Sequence, residues 1–194
     1  MSGVILVFCA TLGYGAVHSL LASLPVKAAA RRWFGPSADH WYRLGFNFVG
    51  GITLLPVLAL TAANIGSVLV AVPWPGVIVL AAIELAALML MANALRQSDP
   101  AFFLGIGQLG NKPSANGLIT TGAYGIVRHP LYSTGLLILW CFPILTTGTL
   151  AFDAAITLYV LVGSELEERR LITEFGEEYL RYRKKVARLI PFIF

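Results

Sequence analysis

Long apolar segments, separated by short charged ones, constrain the fold of this chain more than any other feature of its sequence. Residues 4–24, 44–63 and 76–95 are almost free of charge, and each has about the 20 residues that a helix needs to cross a hydrocarbon core of about 30 Å. Only 12% of all residues are charged and 57% are hydrophobic, whereas soluble domains average about 25% charged residues. The chain is therefore predicted to be an all-α, polytopic membrane protein.

The apolar segment at residues 131–163 is ambiguous in length. As one helix it would be roughly 50 Å long, too long for a single crossing, and as two full crossings it is short. The residues near its middle, Thr146-Thr147-Gly148-Thr149, favour a turn and therefore a tight helical hairpin. This interpretation predicts five transmembrane helices, of which the last two form the hairpin.

The distribution of basic residues supports five spans independently. Lys and Arg concentrate on the cytoplasmic side of membrane proteins. With five spans, all 14 Lys and Arg residues lie on one side, whereas four spans would place the most basic segment, after Gly163, on the other side. We therefore expect an integral membrane protein of a bacterial inner membrane, with its N-terminus outside and its C-terminus in the cytoplasm.

The positive charge also bears on the partners of the chain. The net charge is +4 at pH 7, but no basic stripe with interleaved aromatic residues is present, so we expect contact with membrane lipids and no binding of nucleic acid. Cys9 and Cys141 each stand alone in an apolar segment, which predicts neither a disulfide nor a metal site. The oligomeric state stays open.

The connections between the apolar segments differ in composition. Residues 25–42 mix Lys and Arg with aromatic residues, which predicts a short interfacial helix, and residues 64–75 predict a short external loop. Residues 96–130 are long, polar and typical of a functional loop. Within them, residues 105–110 match G-x-G-x-x-G, but Asn111-Lys112-Pro113-Ser114 follows and no helix can start there, so we expect a flexible loop rather than a nucleotide site. Residues 165–185 predict a cytoplasmic amphipathic helix.

The strongest candidate site lies at Arg128-His129-Pro130. Pro130 suits the first turn of a helix and excludes His129 from helical geometry, so Arg128 and His129 are expected on non-helical backbone at the cytoplasmic mouth of the fourth span. The free amides at such a helix start can bind an anionic group such as a carboxylate. Tyr132 and Gly135 lie one turn apart, and a glycine lets a helix or a flat ligand approach closely. An Arg-His interface anchor with a packing glycine is the alternative.

A second candidate is the acidic segment that follows the fifth span, Glu165-Leu166-Glu167-Glu168. Carboxylates there can bind the amino group of an amino-acid-like ligand or ribose hydroxyls. The alternative is a solvated helix with pairs such as Glu165 and Arg169, each worth about 0.2–0.5 kcal/mol. Because the hairpin brings both helix ends to one membrane face, Arg128-His129-Pro130 and Glu167-Glu168 are expected to be neighbours.

Polar residues inside the apolar segments form a third set. Glu84 lies in the third span and Asn93 nearer the cytoplasm, and an intramembrane carboxylate is a functional candidate by default, so both are candidate substrate-binding residues. Alternatively, Glu84 is a protonated, hydrogen-bonded helix contact. His18 and Asn47 are expected to make hydrogen bonds between helices.

Two motifs in the C-terminal half carry a family resemblance. The run from Gly122 to Gly135, read as G-x-Y-x-x-x-R-H-P-x-Y-x-x-G, resembles the signature of the isoprenylcysteine carboxyl methyltransferase and phospholipid methyltransferase superfamily. The downstream pattern that matches in order and spacing is Glu167-Glu168-Arg169-Arg170-Leu171, Phe175-Gly176-Glu177-Glu178-Tyr179, Tyr182, Arg188 and Pro191. The N-terminal half resembles the NnrU-like and methanethiol S-methyltransferase-like branches through Tyr14 to Ser23, Val26-Lys27 and Tyr42-Arg43.

The resemblance implies a single integral membrane methyltransferase domain over residues 1–194, with a three-span part at 1–95 and a cofactor-binding part at 96–194. It implies S-adenosylmethionine as cofactor, held in a cytoplasmic pocket under the final helices, with a lipophilic substrate entering from the bilayer. Arg128 is a candidate to stabilise an attacking thiolate, and His129 to accept its proton. The expected cofactor-binding residues are Tyr124, His129, Pro130, Tyr132, Gly135, Glu167 and Glu168, with Tyr179, Tyr182 and Arg188 closing the pocket.

One position departs from the family pattern. Members that methylate prenylcysteine tend to carry arginine four residues before the paired glutamates, where this chain has Gly163. The departure favours a thiol or another small lipophilic nucleophile as the methyl acceptor, with isoprenylcysteine or phospholipid as the alternative. A non-catalytic, NnrU-like membrane accessory protein and a reductase similar to the sterol reductases are the remaining alternatives. Methyl transfer from a sulfonium is an in-line displacement that needs no metal.

Overall fold

The computed structural model describes residues 2–110 and 117–193. Of the residues described, 78% are helical. Its α-helices are α1 (Ser2–Ala22), α2 (Leu24–Phe34), α3 (Ala38–Ala63), α4 (Trp74–Gln97), α5 (Pro100–Leu104), α6 (Pro130–Trp140), α7 (Thr147–Phe175) and α8 (Glu177–Arg183). Short 3₁₀-helices lie at Gly35–Ser37, Gly107–Gly110 and Gly122–Gly125, and two short strands are β1 (Val68–Ala71) and β2 (Ile144–Thr146). The segment Asn111-Lys112-Pro113-Ser114, used above to exclude a nucleotide-binding helix, lies outside the described residues.

Four helical segments in the described part of the chain are long and apolar enough to cross a membrane. They are Ser2–Ala22, Leu24–Ala63 (α2 and α3 taken together), Trp74–Gln97 and Thr147–Phe175. The chain is thus an all-α, polytopic integral membrane protein, as predicted. The expected fourth span is the 11-residue helix α6, which covers roughly 17 Å at 1.5 Å per residue. Five complete crossings therefore stay a prediction.

The connection after α6 is more structured than the bare turn that the sequence suggests. Pro143 disfavours helical geometry at Phe142, so α6 ends at Trp140 and the chain extends into β2 before α7 begins at Thr147. β2 pairs antiparallel with β1, and the amide of Val72 also donates to the carbonyl of Pro143 at 2.9 Å. Residues 64–75 were expected to be a loop. They contain β1 because Val68-Leu69-Val70 is β-prone and finds a partner strand far along the chain.

The chain forms two compact units that are interleaved in sequence. The first comprises the described residues of Met1–Ser67, Asp99–Asn116 and Thr147–Ala155, and the second comprises Val68–Ser98, Gly117–Thr146 and Ile156–Phe194. Helix α7 contributes its first residues to the first unit and its remainder to the second. The single domain predicted from the sequence, with its parts at 1–95 and 96–194, stays a prediction.

The first unit is built on the contact between α1 and α3. Gly50 allows this approach, because a Cβ at Gly50 would lie 3.0 Å from the ring of His18. The hydroxyl of Tyr14 donates to the carbonyl of Gly50 at 3.3 Å, and the ring of His18 packs on that of Phe46. Helix α2 connects α1 and α3 in sequence, and it is the short helix expected from the aromatic and basic residues of this segment.

The segment between α4 and the second motif also contains regular structure in the first unit. The side-chain amide of Asn47 donates to the carbonyl of Phe103 at 2.9 Å, so this polar residue of α3 holds the short helix α5. Gly105 has a φ of +91° and passes close to the backbone of Leu44, which glycine alone permits without strain. The flexible loop expected at residues 105–110 is instead a turn followed by a 3₁₀-helix.

The second unit combines α4, α6, the later part of α7, and α8. Trp140, near the end of α6, donates to the hydroxyl of Thr157 at 2.9 Å, and His129, at the start of α6, faces Glu168. These pairs run in opposite order along the two helices, so α6 and the later part of α7 are antiparallel. Gly176 ends α7 with a φ of +54°, and α8 starts at the next residue. The helix predicted over residues 165–185 is therefore interrupted at Gly176.

Candidate functional site

Arg128 and His129 are held on non-helical backbone by the C-terminal segment of the chain. The amide of Arg128 donates to the carbonyl of Ala187 at 2.8 Å, and that of His129 donates to the carbonyl of Arg188 at 3.2 Å. Pro130 then begins α6, with His129 as the N-cap at a φ of −123°. Proline at the first helical position is the local reason that both side chains leave the backbone from a non-helical segment.

The side chains of Arg128 and Glu168 form a buried ion pair in the second unit. Arg128 Nε lies 2.6 Å from Glu168 Oε1, and the two side chains are 6% and 1% exposed. Arg128 Nη1 also donates to the carbonyls of Arg183, at 3.1 Å, and Val186. The second carboxylate oxygen of Glu168 lies 3.3 Å from Arg183 Nε. Removing one partner of such a pair leaves an uncompensated buried charge, so the pair fixes the geometry of the segments that carry it.

The imidazole of His129 lies between the two glutamates. Nδ1 is 3.7 Å from Glu167 Oε2 and Nε2 is 3.5 Å from Glu168 Oε1, while the ring stacks on that of Tyr132 with centroids 5.6 Å apart. Burial lowers the pKa of His129 below its ordinary value of 6.5, although the charges of Glu167 and Glu168 oppose the shift. His129 is therefore neutral at pH 7 and able to accept a proton.

The carboxylate of Glu168 is ionised in this setting. Glu168 lies on the charged C-terminal end of α7, beyond the apolar stretch that ends before Glu165. Burial by itself raises its pKa, but the hydrogen bond and charge of Arg128, with His129 and Arg183, outweigh burial and hold the pKa below 4.5. The neighbouring Glu167 is different, because its side chain is 45% exposed.

Three tyrosines close one side of this cluster. The hydroxyl of Tyr182 donates to the carbonyl of Tyr124 at 2.6 Å, and its ring meets that of Tyr179 edge to face, with centroids 5.9 Å apart. Tyr179 is 1% exposed, and burial raises its pKa to about 12. The tyrosines therefore stay protonated at any pH at which the protein works, and they exclude water from the ion pair.

Some buried polar atoms of the cluster lack a hydrogen-bond partner among the described residues. They are His129 Nε2, Glu168 Oε2 and the Tyr179 hydroxyl. Two of these atoms still face charged neighbours, since Glu168 Oε2 lies 3.3 Å from Arg183 Nε and His129 Nε2 lies 3.5 Å from Glu168 Oε1. Among the described residues no cluster of His, Cys, Asp or Glu is arranged to hold a metal ion.

Gly135 and Gly163 each border open space in the second unit. A Cβ built on either would meet no atom of the described structure within 4 Å, leaving aside the helix's own backbone. Gly135 thus does not serve the close helix contact that was one of its two expected roles. The other expected role, approach of a flat ligand, stays a prediction.

The remaining predicted site residues are Arg188, Glu84 and Asn93. Arg188 Nη1 lies 3.0 Å from Glu165 Oε2, and Glu165 also lies 3.3 Å from Arg169 Nε. Glu84 is half-buried on α4, whereas the side chain of Asn93 is exposed. Nine residues correspond to two and a half helical turns, so Glu84 and Asn93 lie on opposite sides of α4 and do not form one subsite.

Sequence analysis missed several residues that support the site. Arg183 pairs with Glu168, the hydroxyl of Ser133 donates to the carbonyl of Leu189 at 2.6 Å, and Gln97 Oε1 accepts from the amide of Ala123 at 3.2 Å. A signal for Arg183 was present, because it lies four residues after Tyr179 and therefore on the same face of a helix. Ser133 and Gln97 had no signal, since their partners are backbone groups far away in sequence.

Comparison with known proteins finds relatives that are methyltransferases. The chain is 42% identical over 80 residues, 41% of its length, to methanethiol S-methyltransferase of Pseudomonas deceptionensis, 30% of whose length is covered. It is 43% identical over 100 residues, 52% of its length, to methanethiol S-methyltransferase 2 of Bradyrhizobium diazoefficiens, of which 36% is covered. It is 35% identical over 88 residues, 42% of its length, to protein-S-isoprenylcysteine O-methyltransferase of Homo sapiens, of which 30% is covered.

These relatives bear on the resemblance stated above. No family model and no solved structure matches the chain, and the chain spans no more than 36% of the length of the relatives just described. Two of them are named for a thiol and one for isoprenylcysteine. The predicted resemblance to the integral membrane methyltransferases is therefore confirmed.

Proposed function

We propose that this protein is an S-adenosylmethionine-dependent membrane methyltransferase that acts on a thiol or another small lipophilic nucleophile. The observation that carries the proposal is the buried Arg128–Glu168 pair with the neutral imidazole of His129 beside it. Arg128 and His129 belong to the first of the two C-terminal motifs that resemble the superfamily, and Glu168 belongs to the second. The relatives named methanethiol S-methyltransferase support a thiol as acceptor.

The groups that border the buried ion pair suit an amino-acid-like nucleoside. The half-exposed carboxylate of Glu167 suits a ligand ammonium group, and the free amides of the first turn of α6, after Pro130, suit a carboxylate. The rings of Tyr124 and Tyr132 and the open space beside Gly135 suit a flat base. When bound, S-adenosylmethionine supplies an electrophilic methyl group.

His129 and Arg128 have different roles in this proposal. His129 is neutral and buried, so it accepts the proton of an incoming thiol. Arg128 is already bound to Glu168 and to two main-chain carbonyls, so its main role is to position the C-terminal segment and Glu168. The tyrosines that close one side of the cluster exclude water, which strengthens a thiolate nucleophile relative to its hydrated form.

The acceptor class follows from the membrane setting and from Gly163. An apolar surface around α6 and α7 allows a lipophilic acceptor to arrive from the bilayer, and glycine at residue 163 leaves space where prenylcysteine-methylating members of the superfamily tend to carry arginine. A small thiol needs no such charge. The site lies at the basic and therefore cytoplasmic ends of the spans in this proposal, in a bacterial inner membrane.

Cofactor binding tests the pocket. Isothermal titration of the detergent-solubilised protein with S-adenosylmethionine is expected to show saturable binding that weakens at least tenfold in His129→Ala and in Glu167→Ala. Glu174→Ala is the matched control, because Glu174 lies on the same helix and pairs only loosely with Arg170, at 3.8 Å. Unchanged affinity in both site variants would count against the pocket.

Product analysis tests the reaction. Purified protein incubated with methyl-labelled cofactor and a panel of thiols, including methanethiol and a farnesylated cysteine, is expected to form labelled thioether from a small thiol. Label on the farnesylcysteine carboxylate would support the alternative acceptor. Cofactor binding without product from any thiol or membrane extract would favour a non-catalytic accessory protein, and nicotinamide binding in its place would favour a reductase.

A further inference from the structure

The first unit contains an apolar cavity that the proposed methyl transfer does not use. Its volume is about 520 Å³, within the range of about 300–1,000 Å³ that ligand pockets occupy. The cavity is a partly open groove bordered by α1, α2 and α3. Its lining is almost entirely hydrophobic and includes Leu21, Phe34, Trp41, Gly45, Phe46 and Val49.

A smaller polar pocket adjoins this cavity. It has a volume of about 200 Å³ and is bordered by Lys27, Asp39, Arg43 and Gln108. Ala38 and Tyr42 line both the cavity and the pocket, so the two are adjacent. Together they form an amphiphilic surface, with a larger apolar part and a smaller polar part.

The polar part carries an excess of positive charge. Lys27 and Arg43 border the pocket itself, and Arg31 lies 3.3 Å from the carboxylate of Asp39, which partly neutralises that acid. Three cations, Lys27, Arg31 and Arg43, thus accompany the single carboxylate of Asp39. A basic segment beside a membrane span attracts anionic lipid headgroups by about 1 kcal/mol per Lys or Arg.

From this adjacency of an apolar cavity and a basic pocket, we propose that the first unit binds one anionic phospholipid. An acyl chain occupies the cavity beside Trp41 and Phe46, and the phosphate lies at Lys27 and Arg43. A phospholipid is the occupant that the lining favours, because the cavity offers little polar surface for a soluble ligand and the bilayer supplies the ligand directly. All of these residues belong to the first unit, so the site is independent of the methyl-transfer proposal.

Tryptophan fluorescence tests this proposal, because Trp41 lines the cavity. The probe protein is the full chain with Trp33, Trp74 and Trp140 replaced by Phe, titrated in detergent with phosphatidylglycerol or phosphatidylcholine that carries brominated acyl chains. Bromine quenches a tryptophan that it contacts. We expect quenching of Trp41 that saturates at a low mole fraction of phosphatidylglycerol, with apparent affinity for phosphatidylcholine at least fivefold weaker.

Two matched pairs of variants locate the chain and the headgroup. Gly45 and Gly51 both lie on α3 with no atom within 4 Å of a built Cβ, but only Gly45 lines the cavity. Gly45→Leu is therefore expected to abolish saturable quenching, and Gly51→Leu to leave it intact. Lys27→Gln is expected to weaken phosphatidylglycerol binding about fivefold, whereas Arg32→Gln, the same charge change outside the pocket, leaves it unchanged.

Native mass spectrometry of the wild-type chain provides a second readout that needs no tryptophan replacement. One retained phosphatidylglycerol, lost in Gly45→Leu and kept in Gly51→Leu, supports the proposal. Equal retention of both lipids, quenching that rises linearly with either, or retention unaffected by Gly45→Leu would overturn it. Methylation activity enters none of these measurements, so failure of the lipid site and failure of the proposed enzyme are distinguishable.

Discussion

Two buried threonines of the first unit and the buried ion pair of the second unit are partnered in different ways. In the first, the hydroxyls of Thr11 and Thr61 donate to the carbonyls of Val7 and Val57, each four residues earlier on its own helix. In the second, the buried pair of Arg128 and Glu168 joins residues that are 40 positions apart in the chain. Hydrogen bonds within one helix need no tertiary structure, whereas the Arg128–Glu168 pair forms only when several segments meet. We infer that the first unit is a membrane scaffold and that the second carries the chemistry.

Breaking the buried ion pair gives the largest expected effect. Glu168→Ala leaves Arg128 buried without its counter-charge and is expected to lower the free energy of unfolding by about 3–5 kcal/mol, measured by denaturation in detergent. Glu174→Ala, which removes an exposed carboxylate of the same helix, is expected to change it by less than about 0.5 kcal/mol. Glu168→Gln keeps a hydrogen-bond acceptor and reports on cofactor affinity if the alanine variant does not fold. A small loss in Glu168→Ala would show that the pair is not buried.

Filling the space beside Gly135 separates binding from folding. Gly135→Leu is expected to weaken cofactor binding at least tenfold while stability is unchanged or higher, because a built Cβ meets no atom and leucine favours helix over glycine, by somewhat less than the roughly 0.8–1 kcal/mol that separates alanine from glycine. Gly51→Leu in the first unit gains the same helix propensity and is expected to leave cofactor affinity unchanged. Equal affinities for the wild type and Gly135→Leu would place the open side of Gly135 in lipid.

Adjacent glycines on α3 test the packing of the scaffold. A Cβ at Gly50 would lie 3.0 Å from the His18 ring, whereas one at Gly51 meets nothing within 4 Å. Gly50→Ala is expected to cost about 1–3 kcal/mol of unfolding free energy, and Gly51→Ala to cost none. Neither is expected to alter cofactor affinity. If the two variants were equally stable, α1 and α3 would not be in the described contact.

The dependence of stability on pH gives the smallest expected effect. Because burial holds the pKa of His129 below 6.5, the unfolded chain binds a proton between the folded pKa and 6.5 that the folded chain does not. Stability contributed by neutral His129 is complete above pH 6.5 and is lost as pH falls, with a slope of at most about 1.4 kcal/mol per pH unit. His129→Asn is expected to flatten this slope in denaturation experiments between pH 5 and 7.

The control for this experiment is His40→Asn, which leaves His129 in place. Its slope of stability against pH is expected to remain steeper than that of His129→Asn. Glu168 does not interfere, since its pKa lies below 4.5 and its contribution is lost only at lower pH. A slope that is the same in the wild type and His129→Asn would mean that His129 titrates alike in the folded and unfolded chain.

Much of the scaffold could be predicted because the bilayer imposes a simple pattern. Predicted segments at 4–24, 44–63 and 76–95 lie within a few residues of α1, the later part of α3, and α4. The prediction was weaker for residues 131–163, where periodicity alone cannot distinguish a short helix followed by a strand from a full span. The pairing of β2 with β1 depends on a partner about 75 residues earlier, which no local pattern records.

The residues of the candidate site were predicted better than the contacts that hold them in place. Arg128-His129-Pro130 and Glu167-Glu168 were expected to be neighbours, and the structure places them in contact. The contribution of Arg183, and of the carbonyls of Val186 and Ala187 that hold Arg128, could not be predicted, because main-chain acceptors have no sequence signature.

The amino-acid sequence by itself determined that this chain is built of helices in a membrane, and that His129 stands outside a helix because Pro130 follows it. Only the tertiary structure decided which of two adjacent glutamates neutralises Arg128. Glu167 and Glu168 differ by one residue and therefore point about 100° apart around α7. Packing turns Glu168 inward to 1% exposure and leaves the Glu167 side chain 45% exposed, so one becomes part of a buried ion pair and the other stays available to a ligand.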